Sequence, residues 1–361
     1  MPAPPDIAVI LPNWVGDVVM ATPALGALRR AFAHSRITLV GKQVVLDTLA
    51  GLPVAEHTLC DVSRHGRVAG GIMDLTGMLR AGRHDIAVIL PNSFRSALVT
   101  KMAGIARRVG YNRDGRGWML TDAIDPPRDE TGQLTPISAI DYYVRLVALL
   151  NAMPDSRTMH LMVLPGDATA AEALLADAGA DSDRPLVMLN PGASFGVSKM
   201  WDPERYAALA DMLIERRGAQ IIINVAPNER AIAQQVAHTM VRAPLLNFGD
   251  RDNTIAMLKA LLRRCDVLVT NDTGTRHIAA ALGVGVVTLF GSTDPAWAQI
   301  DYKRERVIRL DVPCSPCQQK LCSQPPGPLY HQCMSGITPE MVLPAAEELL
   351  ELAAGDAEAR P

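Results

Sequence analysis

The 361-residue sequence has no G-x-G-x-x-G after its first apolar run and no glycine-rich loop closing on Lys-Ser or Lys-Thr. The first absence disfavours a dinucleotide oxidoreductase, and the second a P-loop ATPase. No Asp-x-Asp pair follows a strand-like run in a setting suited to a divalent metal. A phosphate leaving group would then have to be neutralised by protein cations and helix ends. Aromatic residues make up only 4% of the chain, so the cores are expected to rest on Ala, Val, Leu, Ile and Met. No apolar run approaches the roughly 20 residues that span a bilayer. The segment Met1-Pro2-Ala3-Pro4-Pro5-Asp6 lacks the basic start and apolar stretch of a secretion signal. A cytoplasmic protein with reduced cysteines is the resulting expectation. The net charge of −3 offers no general attraction to nucleic acid or an anionic membrane.

What is present is a normal globular balance, 48% hydrophobic and 20% charged, in a chain long enough for two domains. The first half alternates short apolar runs (7–11, 36–40, 85–90) with helical patterns (17–32, 69–80, 93–102, 137–150). Pro23 should kink the first of these helices or delay its start. The pattern loosens between Asn151 and Pro185, around one Ala-rich helix at 168–178, which places the domain connection there. Apolar runs resume at 186–189, 220–225, 267–270 and 286–290. Asp202-Pro203-Glu204 opens a helix that Gly218 ends, Asn228 caps another, and Asn253 or Thr254 opens a third. A last helix, 339–352, precedes a charged tail expected to fray. Two doubly wound parallel-sheet domains facing a cleft follow from this alternation. The boundaries are 1–165, 183–335, and a terminal helix and tail at 336–361.

Polar residues concentrate where apolar runs end. After Val267-Leu268-Val269-Thr270 comes Asn271-Asp272-Thr273-Gly274-Thr275-Arg276-His277. This strand-to-helix junction would offer unpaired amides and a partial positive charge to a phosphate. Asp272 and His277 are either a cap and a buried imidazole or ligand contacts. A second junction, Pro12-Asn13-Trp14-Val15-Gly16-Asp17, follows the first strand. Asp17 either complements the helix dipole or serves as a general base. The loop Asn190 to Trp201 leaves the first strand of the second half, and its Lys199 is a cation able to reach a pyrophosphate. Arg107, Arg108, Arg113 and Arg116 crowd beside Lys101, as a solvated loop or as a receiver of an anionic substrate. Cys314 and Cys317 have zinc-ligand spacing, with Cys322 and Cys333 downstream and His331 as a competing ligand. Reduced loop thiols and a structural zinc are the two readings.

Taken together, these segments resemble glycosyltransferase family 9, the ADP-heptose:lipopolysaccharide heptosyltransferases, over nearly the whole chain. The matching pieces are Asn13 to Asp17 with Ala21 to Leu25, Leu90 to Leu98, Gly104 to Leu120, Pro191 to Trp201, Asn271 to His277 and Cys314-Ser315-Pro316-Cys317. Leu90 to Leu98 and Gly104 to Leu120 are similar to the heptosyltransferase II members in particular. The resemblance implies a GT-B arrangement of two Rossmann-like domains, with ADP-heptose in the second. Lys199 and the amides of Thr273 and Gly274 would hold the diphosphate. Glu229 would meet the ribose, and Asp272, His277 and Ser194 would complete the donor site. Asn13, Asn92, Ser93, Arg95 and Arg116 would bind the acceptor, and Asp17 would activate its hydroxyl. Transfer with inversion to the inner-core heptose of a lipopolysaccharide precursor would need no cofactor or metal. The acceptor would lie at the inner face of the cytoplasmic membrane, with the enzyme in the cytoplasm or attached peripherally. The alternatives are a relative adding the first or third heptose, one using another donor, and a nucleotide-binding module without activity. Two departures stand out: Arg95 where relatives often carry Lys, and a longer stretch at 318–332.

Overall fold

The computed structural model describes residues 3–62 and 68–358. The chain divides into two compact units, Met1–Met162 with Ala296–Asp301 and Val163–Pro295 with Tyr302–Pro361.

The first unit runs β1 (Ile7–Ile10), α1 (Val15–Met20), α2 (Thr22–Ala31), β2 (Ile37–Gly41), α3 (Gln43–Leu49), β3 (His57–Cys60), α4 (Val68–Ala81), β4 (Ile86–Ile89), α5 (Phe94–Met102), β5 (Arg107–Tyr111), β6 (Asp122–Ile124) and α6 (Ala139–Ala148). Its six strands are ordered β3-β2-β1-β4-β5-β6 and all pair in parallel. The central strands are apolar on both faces because helices cover both sides. Ile7 of β1, for example, aligns with Ile37 of β2 and Ile86 of β4.

The second unit runs α7 (Pro165–Asp177), β7 (Leu186–Asn190), α8 (Pro203–Arg217), β8 (Gln220–Ile223), α9 (Arg230–Thr239), β9 (Leu246–Asn247), α10 (Ile255–Arg264), β10 (Val267–Asn271), α11 (Gly274–Ala281), β11 (Gly285–Phe290), β12 (Glu305–Arg309), α12 (Gln332–Ser335) and α13 (Pro339–Glu358). Its sheet is ordered β12-β11-β10-β7-β8-β9, also parallel throughout. Each sheet therefore has the Rossmann order 3-2-1-4-5-6. The winding reverses between β1 and β4 in one unit and between β7 and β10 in the other. Ligands in such sheets sit outside the carboxyl ends of the strands at that reversal.

Several local expectations change. The helix expected at 17–32 is two helices, because Pro23 lacks an N–H and is accommodated in the first turn of a new one. Asn228 does not cap α9; it lies in a 3-10 turn, and Glu229 holds the cap position. Thr254, not Asn253, caps α10 by accepting from the Met257 amide. The terminal helix does not stop at 352. It continues to Glu358 with Pro344 inside it, and its Leu343, Ala346, Leu349 and Leu350 join the core of the second unit. Residues 336–358 are thus part of that unit rather than a segment apart, and the frayed-tail expectation for 359–361 lies outside the described residues. Helix α7, read as part of the connection, belongs to the second unit and packs on α10.

Trp201 anchors the second core. It is fully buried, its ring stands edge-on to Tyr206 at 4.9 Å, and its indole N–H donates to the Ile337 carbonyl at 2.8 Å. Trp201→Ala is expected to cost about 3–5 kcal/mol. Urea unfolding followed by circular dichroism measures it, and a loss below about 1 kcal/mol would mean the ring is not a packing anchor.

Candidate active site

In the second unit the segments leaving β7 and β10 meet at the winding reversal. β10 ends in Asn271, whose amide donates to the carbonyls of Pro191 (2.9 Å) and Gly192 (3.2 Å). Its Oδ1 accepts from the Tyr206 hydroxyl and the Trp201 amide. Asn271 thereby ties the loop after β7 to the end of β10. Asp272 follows, and α11 starts at Gly274 with Thr273 at its cap position and no side-chain cap. The first-turn amides of this helix have no intrahelical acceptors and point outward with the positive end of the dipole.

Lys199 reaches this helix end. Its Nζ donates to Asp272 Oδ2 at 2.6 Å and to the Asp272 carbonyl at 3.0 Å. Thr293 donates to the same Oδ2 at 2.9 Å. Arg276 stands 3.7 Å from Oδ1, and is itself held by a two-pronged contact to Glu305. Burial alone would raise the Asp272 carboxyl; Lys199 and Arg276 outweigh it and hold the group below the usual carboxylate value. His277 is fully enclosed, and burial, seconded by Arg276, pulls it down to about 3. The imidazole is therefore neutral at physiological pH, and its Nδ1 has no hydrogen-bond partner.

Glu229 sits below the loop. Its Oε1 accepts from the Ala193 amide at 2.9 Å and its Oε2 from the Ala226 amide at 3.3 Å. A Cβ on Gly192 would come within 2.0 Å of Oε2, so a larger residue there would displace the Glu229 carboxylate from these contacts. Glu229 thus shapes the loop, and any ribose contact would use its remaining lone pairs. Ser194 is exposed on the same loop.

In the first unit, Asp17 lies in the first turn of α1, partly exposed, after the exposed Asn13 and Trp14. Tyr143 of α6 is buried, and its hydroxyl is raised well above its ordinary value by burial first and then by the Asp17 charge. The segment after β4 supplies the neighbouring residues. Asn92 Oδ1 accepts from the Tyr142 hydroxyl at 2.9 Å, and Ser93 caps α5 by accepting from the Ser96 amide. Arg95 makes a two-pronged ion pair with Asp61, at 2.8 and 3.2 Å.

Arg116 corrects an expectation. It is fully buried, and its guanidinium donates to the carbonyls of Tyr111, Pro91 and Ser93 and to Ser96 Oγ. Burial pulls its pKa down to about 10. It holds the segment after β4 in place from beneath, while its Nη2 is buried without a hydrogen-bond partner. The basic cluster is likewise engaged within the unit. Arg107 pairs with Asp122, Arg108 donates to the Met119, Ile105 and Ala106 carbonyls, and Lys101 lies over the Trp118 ring at 3.9 Å.

The residues that sequence reasoning did not single out include Arg276, Thr293, Asn190, Asn224, Tyr142 and Tyr143. Asn190 donates to Thr270 Oγ1 and accepts from Asn224 at 2.7 Å, while Asn253 donates to Asn224 at 2.7 Å. Two strand-end amides, Asn190 and Asn224, and Asn253 from the segment before α10 form a polar floor beneath the loop. Asn190 and Asn224 each end or follow an apolar run, and that position was the signal available in the sequence.

The His277 environment dictates an acid response. Unfolded, the ring titrates near 6.5; folded, near 3. Between those values the unfolded chain binds the proton and the folded chain does not, so stability falls as pH drops through that window. Asp272 adds a further loss below its ordinary 3.8. His277→Gln should flatten the decline in urea midpoint between pH 6.5 and 4, and an unchanged slope would refute the burial argument.

Comparison with known proteins identifies the family. A model of "Glycosyltransferase family 9 (heptosyltransferase)" matches residues 72–327. The chain is 29% identical to lipooligosaccharide heptosyltransferase 2 of Haemophilus ducreyi, over 95% of this chain and 99% of that one. It is 28% identical to lipopolysaccharide heptosyltransferase 2 of Salmonella typhimurium, over 95% and 98%. The solved structure of the Escherichia coli ADP-heptose lipopolysaccharide heptosyltransferase II superimposes with a TM-score of 0.78 at 26% identity, covering 97% of this chain and 99% of that one. Strand order, the polar switch points and the family match lead to one conclusion: the chain belongs to glycosyltransferase family 9 and is a glycosyltransferase.

Proposed function

We propose that this enzyme transfers L-glycero-D-manno-heptose from ADP-heptose to the inner-core heptose of a lipopolysaccharide precursor, with inversion and with no metal in the chemical step. The observation that carries the reading is the Lys199–Asp272 pair at the N-terminus of α11. A buried cation beside outward-pointing amides is what a departing diphosphate requires. The names and full-length coverage of the relatives supply the heptose and the lipopolysaccharide.

In this reading the second unit binds ADP-heptose. Lys199 and the amides of Thr273 and Gly274 neutralise the diphosphate as the bond to the anomeric carbon breaks. Glu229 and Ser194 border the nucleoside, and neutral His277 can donate or accept a hydrogen bond without adding charge. The first unit binds the acceptor through Asn13, Asn92 and Ser93, on a segment that Arg95 and Arg116 position. Asp17 takes the proton from the attacking hydroxyl, so the nucleophile gains charge as the leaving group disperses it. The precursor is lipid-linked, so the enzyme works from the cytoplasm at the inner face of the cytoplasmic membrane. Among the described residues no helix is long and apolar enough to cross a membrane.

Incubation with ADP-heptose and heptosyl-Kdo-lipid A should release ADP and lengthen the acceptor by one heptose; folded protein doing neither would defeat the proposal. Asp17→Asn should keep ADP binding by calorimetry and lose roughly 10²–10⁴-fold in turnover. Unchanged turnover would remove Asp17 as the base. Lys199→Ala should weaken donor binding and slow transfer at least tenfold, about 1.4 kcal/mol. Normal kinetics in that variant would mean the amine is not on the diphosphate.

A further inference from the structure

Between β12 and α12, from Leu310 to His331, the chain forms no helix or strand. Long stretches of this kind inside a compact unit usually serve a function or need an additional tie. This one carries Cys314, Cys317 and Cys322, and Cys333 follows in α12. The four thiols line a single cavity of about 10 Å³, together with Ser198, Ser292 and His331. That is room for one body the size of a water molecule or an ion. None of the four is disulfide-bonded.

Buried thiols often act only as small apolar filler. Cys333 fits that description, but Cys314, Cys317 and Cys322 are only partly buried, in a loop rich in Pro, Gln and Ser. Filler does not require four cysteines from a polar loop and one helix to line the same small cavity. A tetrahedral thiolate site does, and Cys314-x2-Cys317 supplies its usual first pair. His331 is already engaged, with Nε2 3.1 Å from the Ser198 carbonyl, which leaves the four sulfurs as the ligand set.

We propose that Cys314, Cys317, Cys322 and Cys333 bind one thiophilic divalent cation, zinc by ligand preference, and that this clip fixes the loop carrying Lys199. Among the described residues no such group already converges to ligand geometry. Rotation of a cysteine between staggered χ1 wells moves its sulfur by about 3 Å, so closure needs side-chain rotation around the cavity. The link to Lys199 runs through Ser198. The Ser198 amide donates to the Lys320 carbonyl at 3.2 Å and its hydroxyl to the Gln319 carbonyl at 2.5 Å. On the same loop Gly196 abuts this segment, since a Cβ there would lie 2.5 Å from the Lys320 carbonyl. Lys320 and Gln319 fall between Cys317 and Cys322, so a cation holding those two cysteines holds the carbonyls that grip Ser198. The metal site stands on these contacts alone; its effect on the donor rests on the reading of Lys199 given above.

The full chain, purified untagged under reducing conditions from cells supplied with zinc, should contain one zinc per chain by mass spectrometry of the elements. Metal-stripped protein titrated with Co²⁺ should develop the intense visible bands of tetrahedral cobalt thiolate. The double variant Cys317→Ser/Cys322→Ser, changed only at partly buried positions, should lose both signals while keeping its far-ultraviolet circular dichroism. Its Kd for ADP should rise at least threefold. Metal-free protein that shows no cobalt thiolate bands would overturn the site, as would a double variant that retains stoichiometric metal. Metal loss with an unchanged Kd for ADP would overturn the coupling to Lys199. Stoichiometric zinc in a chain that transfers no heptose would count against the proposed activity and leave the site standing.

Discussion

A carboxylate taken out of water, Asp272, organises the strand-end site of the second unit. Its burial is tolerable because Lys199, Arg276 and Thr293 surround it and because it stands just before the positive end of α11. The same contacts make Lys199 a fixed cation, although it arrives on a loop. A lysine left in solvent would spend conformational entropy to reach a phosphate. Held against Asp272, it has already lost that freedom. The neighbouring imidazole follows from the same field. Two cations and deep burial keep His277 uncharged, so the site gains a polar group without gaining a third positive charge.

Topology decides where this chemistry can occur. Both sheets reverse their winding after the first strand, which opens a crevice at the carboxyl ends of β1 and β4 and of β7 and β10. The two units treat that crevice differently. In the second, buried amides (Asn190, Asn224, Asn271) tie strand ends to loops and produce a polar floor beneath the loop after β7. In the first, aromatic and basic groups do the tying: Tyr111 stacks on Tyr142 at 3.6 Å, Tyr142 holds Asn92, and Arg116 gathers the carbonyls after β4.

The central strands and both polar junctions were legible in the sequence, because buried parallel strands are uninterrupted apolar runs and the junctions are where those runs stop. What escaped notice lacked that contrast. β5 begins Arg107-Arg108 and β12 reads Glu-Arg-Val-Ile-Arg, so neither resembles a buried strand; both are strands because their neighbours supply the ladder. β9 has two residues and no pattern to read. The roles of charged residues were the least legible. Arg116 and Arg95 look like a receptive basic patch in one dimension, and only the fold shows that carbonyls and Asp61 occupy them.

That last contrast has a geometric cause. A guanidinium offers five donors in a rigid plane, and Arg116 uses that geometry to collect Tyr111, Pro91, Ser93 and Ser96 at one point. Lysine would retain the charge but could not span those acceptors. Arg95 is bound by the same logic, since its two-pronged grip on Asp61 exploits a fork that lysine lacks. Each guanidinium is therefore a braced cation rather than a mobile one, as the Lys199 amine is braced against Asp272 in the second unit.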